Sequence, residues 1–394
     1  MIYLDYAASA PVLPEAAAAA LRFMTEEYAN PSSIHQAAAE SRGVIDHCRR
    51  QLAKMLNCAP EEIIFTSGGT ESNNLAVFGT CGGKIRTLVT TAIEHESVLK
   101  AAEAWAAADP ERKLVILKPD EKGVIAAEFV EQALAEAASP VFVSVMTANN
   151  ELGTIQPVHA IGAVCRKYGA LFHTDAVQAF GHIPLDVKEC GIGLLSASGH
   201  KCGAPKGVGF LYASKQAGLE PMIFGGGQER GLRSGTLNTP GIAGLYEAAK
   251  YAEAHMKASA ERISSLRCGF YERIQAAIPD VIVNGPEVSE LTADGPADGS
   301  FLPGHLNVSF PGVEAESLLI LLDLRGIAAS AGSACASGSL EPSHVLMALP
   351  GMTEERANAS LRFTFGEFIT EEECGAAAEA VIESVRKLLA LRYS

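Results

Sequence analysis

Leu194-Leu-Ser-Ala-Ser-Gly-His-Lys201 pairs two leucines with a Ser/Ala alternation, the pattern of a short buried strand. It breaks at Gly199 and delivers a histidine and a lysine together. A lysine just past a buried strand is costly unless its ammonium is solvated, paired or converted into something else. One conversion is a Schiff base with a carbonyl cofactor, a use that suits a lysine whose pKa falls on desolvation. Upstream, Phe172-His-Thr-Asp175-Ala-Val-Gln178 reads as a second short apolar strand that ends in an acid.

Earlier still, Glu61-Glu-Ile-Ile-Phe65 predicts a strand that runs directly into Thr66-Ser-Gly-Gly-Thr70-Glu-Ser-Asn-Asn. A glycine-rich turn between strand and helix is an anion cradle, because free backbone N–H groups and the helix dipole both favour a phosphate there. An ordinary turn with a threonine N-cap uses the same residues, so a phosphate site gains weight only beside the lysine and the acid. Further strands are predicted at 86–91, 113–118 and 140–147, with helices at 94–107, 126–138 and 157–168. Such alternation predicts an α/β fold, a mostly parallel sheet covered by helices on both faces. Ligands in these folds bind outside the carboxyl ends of the strands. Thr70, His95, Asn150, Asp175 and Lys201 each fall just after a predicted strand. A lysine for an aldehyde, a carboxylate for a pyridinium nitrogen and a phosphate cradle are together what pyridoxal 5'-phosphate (PLP) requires.

A long helix near 240–277 is expected to leave this first unit. Beyond it, strands at 305–310 and 361–364 with helices at 314–325 and from 371 predict a smaller α+β domain. The expected division is 14–255 for the large domain, with 1–13 and 256–394 for the small one. At 394 residues the chain is too long for one typical core. A net charge of −15 disfavours nucleic-acid and anionic-membrane partners, and no apolar run reaches membrane-spanning length. The start Met1-Ile-Tyr-Leu-Asp5 lacks a signal-peptide pattern, which with unpaired cysteine usage predicts a cytoplasmic protein. The nine cysteines are odd in number and contain no C-x-x-C pair, so neither a metal site nor a disulfide framework is expected.

The ordered motifs Ser67-Gly-Gly-Thr-Glu-Ser, Asn149-Asn-Glu, Asp175-Ala-Val-Gln178, Ser198-Gly-His-Lys201 and Arg233-Ser-Gly-Thr236 resemble those of the class V, fold type I PLP-dependent transferases. Gly332-Ser-Ala-Cys335, followed by Ser339-Leu-Glu-Pro-Ser343, looks like the cysteine desulfurases of the NifS/IscS type. The resemblance runs from Leu4 to about Phe365. It implies that Lys201 holds PLP and shuttles the substrate's α-proton, that Asp175 pairs with the pyridinium nitrogen, and that His95 stacks on the ring. Gln178 would meet the phenolic oxygen, and Gly69, Thr70, Ser198 and His200 would surround the phosphate. Thr236 would reach the phosphate of a second subunit, which implies a homodimer. Arg362 would clamp the substrate carboxylate, with Asn150 beside it and Asn30 nearby.

Cys335 would take sulfur from L-cysteine as a persulfide, leaving L-alanine, and pass it to an acceptor protein for iron–sulfur cluster assembly or tRNA thiolation. Its neighbourhood, Ala329-Ser-Ala-Gly-Ser-Ala-Cys-Ala-Ser-Gly-Ser339, consists of small residues without apolar anchors, which predicts a mobile, exposed thiol. Cys202, beside Lys201, is read as packing. The chain departs from the best-known members at Gln228, where a histidine is usual, and at Thr147-Ala148, where His-Val is usual. It also ends at Ser394, where IscS-like members carry a longer scaffold-binding tail, which leaves the acceptor open. Four alternatives stand beside this reading. They are a selenocysteine lyase, another class V aminotransferase, a non-catalytic scaffold, and a nicotinamide enzyme, the last without the G-x-G-x-x-G spacing it needs.

Overall fold

The computed structural model describes residues 1–81, 83–138, 140–286, 300–332 and 342–392. Strand β1 (Ile2–Tyr3) and helices α1 (Pro14–Thr25) and α2 (Ala39–Leu56) lead in. Then β2 (Ile63–Thr66), α3 (Gly69–Cys81), β3 (Thr87–Thr91), α4 (Glu96–Ala107), β4 (Lys113–Leu117), α5 (Ala127–Glu136), β5 (Val141–Ser144), α6 (Val158–Tyr168) and β6 (Leu171–Asp175) alternate. They are followed by β7 (Leu194–Ser198), β8 (Gly209–Ala213) and the long helix α7 (Thr239–Ala277). The remainder comprises β9 (Ile282–Val283), β10 (His305–Ser309), α8 (Ala315–Asp323), β11 (Ile327–Ala328), α9 (His344–Met347), α10 (Glu354–Asn358), β12 (Ser360–Thr364) and α11 (Glu371–Arg392).

The main sheet has seven strands in the order β2-β8-β7-β6-β5-β3-β4. Every neighbouring pair is parallel except those involving β8, so β8 alone runs against the rest. The reason is the connection from β7 to β8, which is shorter than the dozen or so residues a parallel crossover needs. Lys201 lies on that connection. Strands β2, β3, β5, β7 and β8 are buried along their whole length, as expected of a sheet covered on both faces. Successive side chains go to opposite faces: Ile63, Phe65, Val143 and Leu195 pack into one core, Ile64, Phe142 and Leu194 into the other.

A third core gathers around the three-stranded sheet β12-β10-β9. Helix α7, 39 residues long and unbroken through position 255, joins the cores. Its first half buries Ile242, Leu245 and Ala248 on the main sheet's side, and its second half buries Ile263, Phe270 and Ile274 among the small-sheet residues.

One local expectation differs from the structure. The apolar run 140–147 is regular strand only through Ser144: Val145 and Thr147 still donate to His173 O and Asp175 O of β6, but on the other edge the Met146 N–H donates to Glu94 Oε1 at 2.7 Å. The first residues are tied to the C-terminal part of the chain: β1 pairs in parallel with β11, and the Thr364 N–H donates to Leu4 O at 2.8 Å.

Candidate active site

The carboxyl ends of the main sheet's strands surround a cavity of about 200 Å³. Lys201 enters it from the turn after β7, and its Nζ donates to the carbonyls of Ala7 and, at 2.9 Å, Ala8. The ammonium is thus paired by backbone oxygens of the N-terminal segment, one of the options that its position demands. Asp175, the last residue of β6, enters from the neighbouring strand. Its Oδ1 accepts from Val177 N at 2.9 Å and its Oδ2 from Asn73 Nδ2 at 2.7 Å.

His95 caps α4, where its Nδ1 accepts from Ser97 N at 3.1 Å. A backbone N–H can only donate, so Nδ1 carries the lone pair and the neutral ring holds its proton on Nε2. Gln178 lies on the turn after β6, with its Nε2 donating to Ala7 O at 2.9 Å.

One corner of the cavity is built for an anion. Gly69 and Thr70 open α3, where the first N–H groups have no partner within the helix. A Cβ at Gly69 would lie 2.7 Å from Val177 Cγ2, so this close approach requires glycine. Ser198 and His200 complete the corner. Burial, with the charges of Lys201 and Lys206, pushes His200 down to about 4, so it meets a ligand as a neutral imidazole.

At the opposite side Arg362 arrives from β12. Its Nη1 donates to Asn150 O at 2.9 Å and its Nη2 to Asp5 Oδ1 at 2.8 Å, while its Nε has no partner. The Asn150 amide oxygen is also buried and unpaired.

The cavity therefore brings together Lys201, Asp175, Gln178, His95, Asn150 and Arg362 with the Gly69, Thr70, Ser198 and His200 corner. It does not bring in Asn30, whose Oδ1 accepts from Ser32 N at 2.9 Å in an exposed turn, nor Thr236, which is exposed. Cys335 lies outside the described residues. Sequence reasoning missed Asn73, Ser97, Asp5 and Glu94. Asn73 alone carried a signal, since it lies one helical turn past Gly69 and on the same face.

These features define an α/β enzyme whose lysine-centred cavity, with an acid on the adjacent strand and an anion corner, opens at the strands' carboxyl ends. The sequence matches the aminotransferase class-V family over residues 2–376, and the chain belongs to that family of PLP-dependent enzymes. It is similar to the cysteine desulfurase IscS of Dictyoglomus turgidum, at 40% identity over 390 residues, covering 98% of this chain and 95% of that one. Among solved structures, a NifS-like protein superposes with a TM-score of 0.86 at 33% identity, covering 97% and 98%. SspA in complex with cysteine superposes with a TM-score of 0.79 at 33% identity, covering 94% and 100%.

Proposed function

We propose that the protein is a PLP-dependent cysteine desulfurase that converts L-cysteine to L-alanine and carries the sulfur away as a persulfide on Cys335. The observation that carries this reading is the meeting of Lys201, Asp175, His95 and Arg362 with the Gly69, Thr70, Ser198 and His200 corner in one cavity. The cavity fits PLP by the chemistry of its donors. The start of α3, Ser198 and neutral His200 offer hydrogen bonds to a phosphate, and Asp175 offers a carboxylate to a ring nitrogen. The buried Asn73 Oδ1, Asn150 Oδ1 and Arg362 Nε lack partners, as polar groups awaiting a ligand do.

In this reading Lys201 holds the cofactor, Asp175 its ring nitrogen, His95 its ring face and Gln178 its phenolic oxygen. When bound, PLP supplies an electron sink for charge developed at the substrate's Cα. Lys201 Nζ takes and returns the α-proton. Arg362 and Asn150 orient the substrate carboxylate.

Cys335 is favoured as sulfur carrier over Cys202 by the chemistry of the latter. Burial pushes the Cys202 thiol up to about 12, and its Sγ donates to Gly199 O at 3.3 Å, so it remains a thiol. Cys58, Cys81 and Cys165 are likewise pushed up to about 12 by burial.

The same reading takes 14–255 as a cofactor-binding unit, with 1–13 and 256–394 as a smaller one. It pairs two chains, with Thr236 reaching the phosphate in the second subunit. Exposed Met222, Ile223 and Phe224, at 40%, 42% and 81%, lie just before the loop that carries Thr236, an apolar edge suited to a second copy. The acceptor is a protein of iron–sulfur assembly or tRNA thiolation, and the reaction is cytoplasmic. Among the described residues no helix is long and apolar enough to cross a membrane.

The test is alanine and sulfide release from L-cysteine, beside the absorbance spectrum of the purified protein. The expected result is a visible cofactor band lost in Lys201→Ala, and turnover that collapses in Cys335→Ala while the band persists. A normal band with unimpaired sulfur release in Cys335→Ala would sink the persulfide step. The absence of a band after PLP is added would sink the whole reading.

A further inference from the structure

Asn73 is fully buried on α3 and spends both hydrogens of its amide inside the site wall. Its Nδ2 donates to Asp175 Oδ2 at 2.7 Å and to Ser97 Oγ at 2.9 Å. Ser97 Oγ lies 2.8 Å from His95 Nδ1. Because Nδ1 already accepts from the Ser97 N–H, the hydroxyl must donate there too, and its lone pair receives Asn73. The direction of every bond follows: Asn73 to Asp175, Asn73 to Ser97, Ser97 to His95. Turning the amide over would set its oxygen against the Asp175 carboxylate, so the charge fixes the orientation. The price of that orientation is Asn73 Oδ1, buried without a partner at the edge of the cavity. A purely structural asparagine would not be expected to leave a buried acceptor unsatisfied.

From this geometry we infer that Asn73 is a positioning residue that sets Asp175 and His95 as one unit. Through one amide, with the Val177 N–H on the other oxygen, it fixes how the Asp175 carboxylate turns its remaining lone pairs toward the cofactor's ring nitrogen. Through the Ser97 hydroxyl it adds a second donor at His95 Nδ1, beside the Ser97 backbone N–H that already sets the tautomer, and so fixes the orientation of the ring. The inference rests on the PLP reading above and deepens it. It also predicts an asymmetry, because Ser97→Ala cuts only the histidine branch, whereas Asn73→Ala cuts both.

The experiment compares wild type, Asn73→Ala and Ser97→Ala as PLP-loaded proteins. It reads the pH midpoint of the visible cofactor band, the PLP dissociation constant from spectral titration, and kcat and KM. Asn73→Ala is expected to move the midpoint by about one pH unit and weaken PLP binding about tenfold, as loss of a hydrogen bond to a charged group implies. Ser97→Ala is expected to keep the wild-type midpoint and PLP affinity and to lose about tenfold in kcat, with KM unchanged. A wild-type midpoint and PLP affinity in Asn73→Ala would overturn the inference. So would a Ser97→Ala midpoint shifted away from wild type, and this arm stands even if Asn73→Ala fails to fold. The failure of the cofactor reading is distinguishable, since the wild-type protein would then show no band at all.

Discussion

Arg362 and Asp5, at opposite ends of the chain, form an ion pair with 2.8 Å between Nη2 and Oδ1 and side-chain exposures of only 2% and 17%. Asp5 begins the segment whose Ala7 and Ala8 carbonyls receive Lys201. One strip of the N-terminus therefore touches both the expected substrate clamp and the expected cofactor lysine. Arg362→Lys keeps the charge but loses the planar fork. KM for L-cysteine should rise roughly 10- to 100-fold with a smaller change in kcat, since a charge-assisted hydrogen bond is worth about 1.5–3 kcal/mol. Steady-state kinetics would check this, and an unchanged KM would mean that the substrate carboxylate binds elsewhere. Asp5→Ala strands the buried guanidinium and should cost about 3–5 kcal/mol of stability in denaturant titrations.

Glu94 predicts a pH dependence of stability. Burial pushes its carboxyl up to about 8, and the nearby Asp175 charge adds to the rise against the opposing Met146 and Thr91 hydrogen bonds. Below about 4.5 the group is protonated in both folded and unfolded chains and contributes no dependence. Between there and about 8 the unfolded chain releases a proton that the folded chain keeps. Stability should therefore fall as pH rises across that window, by up to about 1.4 kcal/mol per unit, and level off above it. Glu94→Gln keeps an acceptor for Met146 N and should flatten the profile. Denaturant midpoints measured across the window would decide, and parallel profiles for the two proteins would refute the assignment.

The parts of this site that were legible in the sequence are those written locally. Thr70, His95, Asn150 and Lys201 follow apolar strands and Asp175 ends one, and strand ends can be read from period and turn residues. Their convergence needed only the rule that such ends share an edge of a parallel sheet. What escaped were pairings across long sequence separations. Nothing near Asp5 announces Arg362, and nothing near Asn73 announces Ser97 in a different helix. The reversal of β8 was implicit in its short connection to β7, yet its place between β2 and β7 is a tertiary choice. The run 140–147 shows the limit of pattern reading, because past Ser144 it stays bonded to β6 on one edge while a distant carboxylate takes the Met146 N–H on the other.

Glu151 predicts a separation of cofactor binding from sulfur transfer. Its Oε2 accepts from Ser343 Oγ at 2.5 Å, and a Cβ placed on Gly332 would lie 3.0 Å from the same oxygen. One carboxyl thus bonds Ser343 and lies close beside Gly332, the residues between which Cys335 lies in the sequence. Burial raises its pKa above the ordinary carboxylate value, against the opposing Ser343 bond and Arg362 charge. Glu151→Ala should slow alanine release by about tenfold or more, the worth of one hydrogen bond to a charged or buried partner, while leaving the visible PLP band unchanged. Loss of the band in this variant would place Glu151 in cofactor binding instead.

Glu229 anchors the loop expected to meet a second subunit, and its removal should weaken the proposed dimer. The carboxylate, 6% exposed, takes both Nη atoms of Arg49 at 2.7 and 2.9 Å and the Phe65 N–H at 2.8 Å. Glu229 and Arg230 both have left-handed backbone, at φ 48° and 60°, a conformation that non-glycine residues keep only where surrounding contacts hold it. Those contacts tie the start of the loop to α2 and β2, upstream of Arg233 and Thr236. Glu229→Ala leaves Arg49 a largely buried cation without its carboxylate, held only by Ile63 O and the Phe65 ring, and should destabilise the fold by about 3 kcal/mol. It also releases the strained turn, so the dimer dissociation constant should rise along with PLP loss if Thr236 serves the second subunit's phosphate. Sedimentation at a series of concentrations, with the visible band monitored, tests both at once. A destabilised variant that stays dimeric and keeps its cofactor would show that the loop's geometry does not depend on this anchor.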